Sequence, residues 1–398
     1  MVRIPAFEVE QWMDKYETTP GVLNISETCA SSITLEQLVQ FNSQKDAAPL
    51  FDLSARMTYG TILGSEELRQ NIADTYRDQD EPEAASPVSP EDVIVTQGAI
   101  SANYLALYSL VGPGDHVVCV FPTYQQLYSV PESLGAEVSL WKLRAEDSYV
   151  PDVSQLKTLI KSNTKMLIIN NPNNPTGATI PLPVLSQIVS VAKAHDLILF
   201  SDEVYRPLFH SSPAPPSVLS LYPKSLATSS LSKAWALAGI RVGWVATRDG
   251  ALRARLASAR DYTTISVSQV DDGVARYALS APVRPSLLAR NVGLARANLE
   301  LLARFVADHA RTCDWVRPTA GTTALVRFRH RESGRPVDDV AFCEDVLRRT
   351  RVMLVPASKC FGNGTEFRGC VRVGYVSETE VLREALESLG AYVADNLA

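Results

Sequence analysis

Short apolar segments alternate with helical segments through the middle of the chain. We interpret four of them as strands, because each is apolar throughout and bounded by turn residues: 93–96, 116–120, 166–169 and 197–200. Continuously apolar strands are typical of a parallel sheet with helices on both faces. The sequence therefore predicts an α/β fold built on a doubly wound, mostly parallel sheet.

A different pattern follows in the last third of the chain. Residues 284–312 are predicted to form a long helix. After it we predict short strands and one helix, as in a small α+β domain: strands at 323–329, 352–355 and 371–373, and a helix at 337–349. With 398 residues, the chain is too long for one small core. We therefore predict three parts: an N-terminal segment at 1–45 that covers the active site, a large domain at 46–285 and a smaller C-terminal domain at 286–398.

Composition disfavours several classes of protein. The net charge is −6 and no run of Lys or Arg occurs, so nucleic-acid binding is not expected. The six cysteines form no CxxC pair and the five histidines share no metal-ligand spacing, which argues against a metal site or a disulfide framework. No apolar run approaches membrane-spanning length. We expect a cytoplasmic protein that binds neither nucleic acid nor a membrane.

Three polar segments follow one another in the centre of the chain. They read Asn-Pro-Asn-Asn-Pro-Thr-Gly at 171–177, Asp-Glu-Val-Tyr at 202–205 and Ser-Leu-Ser-Lys at 230–233. The last residue, Lys233, precedes an apolar run. A lysine that is solvated at the surface is not expected beside such a run. In this order the segments resemble the class I and II aminotransferases of fold type I, which carry pyridoxal 5′-phosphate (PLP). The resemblance extends over residues 59–372.

The resemblance implies PLP as the cofactor and gives roles to five residues. Lys233 would form a Schiff base with the cofactor aldehyde and then move a proton at the substrate Cα. Asp202 would pair with the pyridine nitrogen and keep it protonated. Tyr205 and Asn174 would donate to the phenolic oxygen, and Tyr124 would stack on the ring. A helix-capping aspartate and a core tyrosine are the ordinary structural alternatives for Asp202 and Tyr124.

A phosphate requires N–H groups at the start of a helix, hydroxyls and a guanidinium. The resemblance implies that these groups come from Gly98, Ala99, Ile100, Ser230, Ser232 and Arg241. A tight turn is the alternative for Gly98. Tyr59 matches a tyrosine that reaches the phosphate of a neighbouring subunit. The resemblance therefore implies a homodimer with a shared active site.

Two further residues concern the amino-acid substrate. Arg372, in Val-Arg-Val-Gly, matches an arginine that binds the α-carboxylate in bidentate fashion, together with Asn174. Residues 23–32 lack the Gly-x-Pro pattern of ordinary members. They are similar to the branch that contains capreomycidine synthase and PLP-dependent arginine oxidases. Glu27 would then contact a cationic side chain, and the alternative for Glu27 is a capping or solvated glutamate.

These observations lead to one main prediction of function and two alternatives. The main prediction is a PLP-dependent aminotransferase that acts on an α-amino acid. The first alternative is a PLP-dependent cyclase, a β/γ-lyase or replacement enzyme, or an oxidase of a specialised biosynthetic pathway, acting on a modified, arginine-like amino acid. The lysine, aspartate and phosphate ligands are common to all these reactions. The second alternative is a non-catalytic ligand sensor, for which residues 1–45 are too few and too acidic to bind DNA.

Overall fold

The N-terminal segment packs against the C-terminal part of the chain. The computed structural model describes residues 4–44, 49–77, 87–211 and 213–397. Trp12, on helix α1 (Glu8–Tyr16), is buried and donates from Nε1 to the carbonyl of Leu354 at 2.9 Å. Strand β1 (Leu23–Asn24) pairs in parallel with residues 352–353. The segment is therefore held to the rest of the structure by packing and by backbone hydrogen bonds.

A seven-stranded sheet forms the centre of the large part. Its strands are β2 (Val93–Thr96), β3 (His116–Phe121), β4 (Glu137–Lys142), β5 (Thr164–Asn170), β6 (Ile198–Asp202), β7 (Ser225–Ser230) and β8 (Gly243–Ala246). Their spatial order is β2-β8-β7-β6-β5-β3-β4. Strand β8 runs antiparallel to both neighbours, and the other neighbouring pairs are parallel. The predicted mostly parallel sheet is confirmed.

Both faces of this sheet are buried. Val118 and Leu167 belong to one hydrophobic cluster, whereas the adjacent Val117 and Ile168 belong to another, as expected when successive side chains point to opposite faces. Helix α2 (Leu35–Gln40) belongs to the N-terminal segment, and the α-helices described in the large part are α3 (Glu66–Arg77), α4 (Gly98–Leu110), α5 (Gln126–Ser133), α6 (Val153–Leu159), α7 (Leu182–Ala194), α8 (Val218–Leu221), α9 (Gly250–Arg260) and α10 (Gln269–Leu279).

A second, antiparallel sheet follows the long helix α11 (Arg284–Asp308). The remaining elements are β9 (Cys313–Trp315), β10 (Thr323–Phe328), α12 (Asp339–Thr350), β11 (Val352–Met353), β12 (Val355–Pro356), α13 (Ala357–Phe361), β13 (Cys370–Gly374) and α14 (Thr379–Asn396). The order in this sheet is β12-β13-β10-β9, and its neighbouring strands run antiparallel. The smaller C-terminal part is therefore α+β, as predicted.

The prediction of one strand at 352–355 is wrong. Strand β11 pairs with β1, whereas β12 pairs with β13, so the chain passes from one sheet to another at Leu354. A continuous apolar run cannot show this change, because both short strands are buried. The predicted domain boundary at 45/46 falls outside the described residues, and the boundary at 285/286 stays a prediction. Within the described ranges, no helix combines the length and apolar character that crossing a membrane requires.

Candidate active site

A cavity of about 320 Å³ lies at the carboxyl ends of the central strands. Strands β5, β6 and β7 end there at Asn170, Asp202 and Ser230, the edge where open α/β sheets collect ligands. The N-terminal segment and β13 complete the walls. The predicted residues that line the cavity are Glu27, Ala99, Ile100, Tyr124, Asn174, Asp202, Tyr205, Ser230, Ser232, Lys233, Arg241 and Arg372.

The amine of Lys233 is enclosed in this cavity. Its Nζ donates to Oγ1 of Thr28 at 2.6 Å and lies 3.4 Å from Sγ of Cys29. Burial disfavours the charged amine, but the neighbouring Cys29, Tyr205 and Glu27 favour it, and together they raise the pKa of Lys233. The cavity therefore contains an amine that its surroundings hold in one place.

Asp202 is a buried carboxylate at the end of β6. It is 3% exposed; its Oδ2 accepts from Nδ2 of Asn103 at 2.9 Å, and its Oδ1 accepts from the backbone N–H of Val204 at 3.1 Å. Burial raises the pKa of Asp202, and these hydrogen bonds and the charge of Lys233 oppose that rise. A buried carboxylate of this kind is well suited to a cationic ring nitrogen.

Groups suited to an anion converge at the start of α4. Gly98 has a φ of +75°, and a Cβ at this position would lie 2.7 Å from Nη2 of Arg241. Glycine therefore allows the Arg241 guanidinium to lie against the helix start. Oγ of Ser230 accepts from the backbone N–H of Ser232 at 3.2 Å. A helix N-terminus, two hydroxyls and a guanidinium are the groups that bind a phosphate.

Two tyrosines form further parts of the wall. Burial raises the pKa of Tyr205, although the charges of Lys233 and Arg372 oppose the rise. Tyr205 is therefore a neutral phenol that can donate a hydrogen bond. The hydroxyl of Tyr124 donates to Oε1 of Glu10 at 2.7 Å, which connects the cavity wall to α1.

Arg372 is buried in the wall formed by β13. It is 3% exposed; its Nη2 donates to the carbonyl of Ser26 at 2.9 Å, and its Nη1 lies 3.4 Å from Oδ1 of Asn174. Its Nε has no hydrogen-bond partner among the described residues. Buried donors are rarely left unsatisfied, so a carboxylate ligand is the natural partner for this guanidinium.

The open side of the cavity is acidic. Glu10, Asp14 and Glu17 of the N-terminal segment line it, and their spacing of four and then three residues places them on one helical face. Burial raises the pKa of Glu17, and the neighbouring Glu27, Asp14 and Glu10 raise it further. This repulsion between carboxylates would be relieved by a cationic ligand.

Glu27 caps a turn and also lines the cavity, and its contact with a cationic substrate side chain stays a prediction. Its Oε1 accepts from the backbone N–H groups of Thr28 at 2.7 Å and of Cys29 at 3.0 Å, so it caps this turn. It also lines the cavity. Burial would raise the pKa of Glu27, but the charge of Lys233 and the two N–H groups lower it overall. Glu27 is therefore an ionised carboxylate at the cavity wall.

Sequence reasoning missed several residues of this site. Asn103 is buried on α4, where it connects Asp202 to Thr228, whose Oγ1 donates to Oδ1 of Asn103 at 2.5 Å. An asparagine among buried apolar residues of α4 was the available signal. Thr28 and the acidic face of α1 carried no comparable signal. Tyr59 lies outside the cavity and is 85% exposed, and its contact with a second subunit stays a prediction.

These residues fit PLP. The groups at the start of α4 and around Arg241 suit its phosphate, the buried Asp202 suits its ring nitrogen, and the enclosed amine of Lys233 suits its aldehyde.

Comparisons with known proteins agree with this fit. The model of the family "Aminotransferase class I and II" matches residues 26–389. The chain is 30% identical to capreomycidine synthase of Streptomyces vinaceus over 78% of this chain and 75% of that protein. It is 31% identical to the arginine–pyruvate transaminase AruH of Pseudomonas aeruginosa over 87% and 84% of the two chains.

Solved structures give the same result. A PLP-dependent aminotransferase from Streptococcus suis has a TM-score of 0.89 and 35% identity, with 99% of this chain and 98% of that chain covered. The PLP-dependent cyclase OrfR has a TM-score of 0.86 and 26% identity, with the same coverage. The predicted resemblance, including the similarity to capreomycidine synthase, is confirmed. The chain belongs to the class I and II aminotransferase family of PLP-dependent transferases.

Proposed function

We propose that this enzyme transfers the amino group of an α-amino acid with a cationic side chain to a 2-oxo acid. The observation that carries this proposal is one cavity that contains the amine of Lys233, the Arg372 guanidinium with its unsatisfied Nε, and a set of carboxylates at its open side. When bound, PLP supplies an aldehyde carbon that binds amino groups and a ring that accepts electron density from the substrate Cα.

Lys233 is the residue that holds the cofactor and moves the proton at Cα. Its enclosure by Thr28 and Cys29 supports this role, because a proton carrier must stay close to the reacting atom. Asp202 keeps the ring nitrogen protonated, and Tyr205 donates to the phenolic oxygen. The other proposed cofactor contacts are Asn174 to the phenolic oxygen, Tyr124 to the ring face, and Gly98, Ala99, Ile100, Ser230, Ser232 and Arg241 to the phosphate.

Arg372 binds the α-carboxylate of the substrate. Its Nη groups are held by Ser26 and Asn174, which fixes the plane of the guanidinium. A fixed guanidinium orients both carboxylate oxygens and, through them, the Cα–H bond that Lys233 must break. Substrate binding would satisfy the Nε group that is buried without a partner.

The acidic side of the cavity selects a basic side chain. The charge of Lys233 lowers the pKa of Glu27, and Glu10, Asp14 and Glu17 line the cavity from α1 and its C-terminal end. In the described ranges, Asp14 and Glu17 form no salt bridge with a side chain of this protein, so a ligand can neutralise them. The similarity to a protein named arginine–pyruvate transaminase supports an arginine-like substrate.

A homodimer supplies the remaining phosphate contact. Tyr59 is 85% exposed, which suits a residue that reaches into the site of a second copy. Ile100, Tyr104 and Tyr108 recur every four residues along α4 and are also exposed. An apolar helix face of this kind is typical of a subunit interface.

The cofactor role of Lys233 can be tested directly. The purified enzyme should absorb as a protein-bound imine, and borohydride should remove that band and fix the cofactor to the chain. Lys233→Ala should bind PLP only reversibly, because the amine that forms the linkage is gone. A Lys233→Ala protein that still yields a borohydride-fixed cofactor would refute the assignment.

A second candidate function has specific support. The similarity to capreomycidine synthase and to a PLP-dependent cyclase favours a cyclase, lyase or oxidase reaction on a basic amino acid. The two candidates differ in their need for an acceptor. An aminotransferase requires a 2-oxo acid for continued turnover of L-arginine and leaves the amino group on the cofactor without it. Continued turnover without a 2-oxo acid would favour the second candidate.

A further inference from the structure

The hydroxyl of Thr28 is the nearest hydrogen-bond partner of the Lys233 amine. The Nζ–Oγ1 distance is 2.6 Å, and Thr28 is 7% exposed. The second contact of the amine, to Sγ of Cys29, is longer at 3.4 Å and involves a weak acceptor. Thr28 therefore determines where the amine lies.

Thr28 belongs to a segment that is attached at several points. Its backbone N–H donates to Oε1 of Glu27, and the next residue but one, Ala30, donates its N–H to the carbonyl of Lys233 at 3.0 Å. Oγ of Ser26 donates to the carbonyl of Met353 at 2.8 Å. The segment that carries Thr28 is thus held both to the backbone of Lys233 and to strand β11.

The chemistry of the amine gives this contact a consequence. A neutral amine has two N–H bonds and one lone pair, and the lone pair must point at the Cα–H bond to take its proton. Donation of one N–H to a fixed oxygen restricts the direction of the lone pair. The Thr28 oxygen accepts from Lys233 at 2.6 Å and so fixes the direction of one N–H bond of the amine.

We infer that Thr28 is a positioning residue, whose hydroxyl holds the amine of Lys233 whenever that amine is not joined to the cofactor. The inference rests on the proposed role of Lys233 as the cofactor lysine. In the proton transfer, the Cα–H bond breaks, its electron pair passes to the substrate and cofactor, and the proton forms a bond to Nζ. Thr28 exchanges no proton in this step and acts only through Lys233.

Cofactor affinity provides a test that does not depend on activity. The Thr28–Lys233 hydrogen bond must break when the lysine joins the cofactor, so it stabilises the cofactor-free state. Thr28→Val keeps the shape and removes the hydroxyl, and we expect it to bind PLP roughly 2- to 10-fold more tightly than the unaltered protein, as for the loss of one neutral hydrogen bond. Thr28→Ser keeps the hydroxyl and should retain an affinity close to that of the unaltered protein.

A purely structural role predicts the opposite sign. Thr28→Val would then loosen the segment and weaken PLP binding. Unchanged or weaker binding by Thr28→Val therefore overturns the inference. If Lys233→Ala prevents covalent attachment while Thr28→Val has no effect, only the role of Thr28 fails. If Lys233→Ala still attaches the cofactor, the proposed function itself fails.

Single turnovers with α-deuterated L-arginine provide a second measurement. Thr28→Val should slow Cα–H cleavage by roughly 3- to 10-fold. The deuterium isotope effect on this step should be at least as large as in the unaltered enzyme. In steady-state assays, KM for L-arginine should change less than about twofold. Thr28→Ser should restore most of the rate. Equal defects in the valine and serine variants would show that packing of the methyl group, and not the hydroxyl, is required.

Discussion

Glu27→Gln isolates the charge of one carboxylate in the site. The carboxylate uses Oε1 to accept from the N–H groups of Thr28 and Cys29 at 2.7 and 3.0 Å. A glutamine keeps an oxygen at this position and has nearly the same shape. The turn should therefore remain intact, and the main change is the loss of one negative charge at the cavity wall.

The expected effect follows from the proposed contact with a cationic side chain. A hydrogen bond to a charged group contributes about 1.5–3 kcal/mol, and about 1.4 kcal/mol corresponds to one decade in kcat/KM. Loss of the charge should thus lower kcat/KM for L-arginine by about 10- to 100-fold. The charge of Glu27 also helps to raise the pKa of Lys233, but this second effect is the same for every amino acid.

The ratio of two substrates separates these effects. L-citrulline has nearly the shape of L-arginine but no charge, so kcat/KM for arginine divided by that for citrulline reports the side-chain contact alone. We expect Glu27→Gln to lower this ratio at least about tenfold. Glu36→Gln is a suitable control, because Glu36 is exposed on α2 and lies outside the cavity.

Equal losses for arginine and citrulline would refute the reasoning and leave Glu27 with a structural role. A similar change of the ratio in Glu36→Gln would show that only the overall charge of the protein matters. Measuring the same ratio at high salt separates a local contact with Glu27 from an effect of the overall charge of the protein. Exposed charges are screened by salt more strongly than partly buried ones.

Three other substitutions test separate parts of the site. Asp202→Asn should still bind PLP but lower kcat by about 10²–10³-fold in steady-state assays, because the ring nitrogen loses its anionic partner; activity within twofold of the unaltered enzyme would contradict this role. Arg372→Lys keeps the charge but loses the planar fork, so KM for the amino acid should rise about 10- to 100-fold while the cofactor absorbance stays the same. Tyr59→Phe should leave the dimer intact in sedimentation experiments and increase PLP release, whereas a fully active monomer would exclude a shared site.

The chemical identity of the site was predictable because its residues occupy local positions that the fold repeats. Asp202 and Ser230 end adjacent strands, and Gly98 begins the helix after β2. Residues at the carboxyl ends of adjacent parallel strands lie at one edge of the sheet, whatever the conformation of the loops that connect the strands. The apolar strands were therefore sufficient to predict the central sheet, and the resemblance of the ordered motifs to the aminotransferase family was sufficient to predict the cofactor.

Strand β7 shows where the apolar pattern fails. Its sequence, Ser225–Ser230, is mostly hydroxyl residues, yet every position is buried. Thr228 donates to Asn103 at 2.5 Å, and Ser225 donates to the carbonyl of Tyr222 at 2.5 Å. Buried hydroxyls are tolerated when they are hydrogen bonded, and a hydrophobicity pattern does not detect such partners.

The sequence by itself was sufficient to predict the cofactor, through the family resemblance, and the mostly parallel sheet, and it proposed which residues hold the ring and the phosphate. Only the tertiary structure decided what surrounds the reacting amine and the substrate side chain. Thr28 and Lys233 are 205 positions apart, and Ser26 and Arg372 are 346 positions apart. Local spacing predicts only where neighbours in sequence lie, whereas these contacts exist because the N-terminal segment is hydrogen bonded to distant parts of the chain, as Ala30 is to Lys233 and Ile25 is to Gly374.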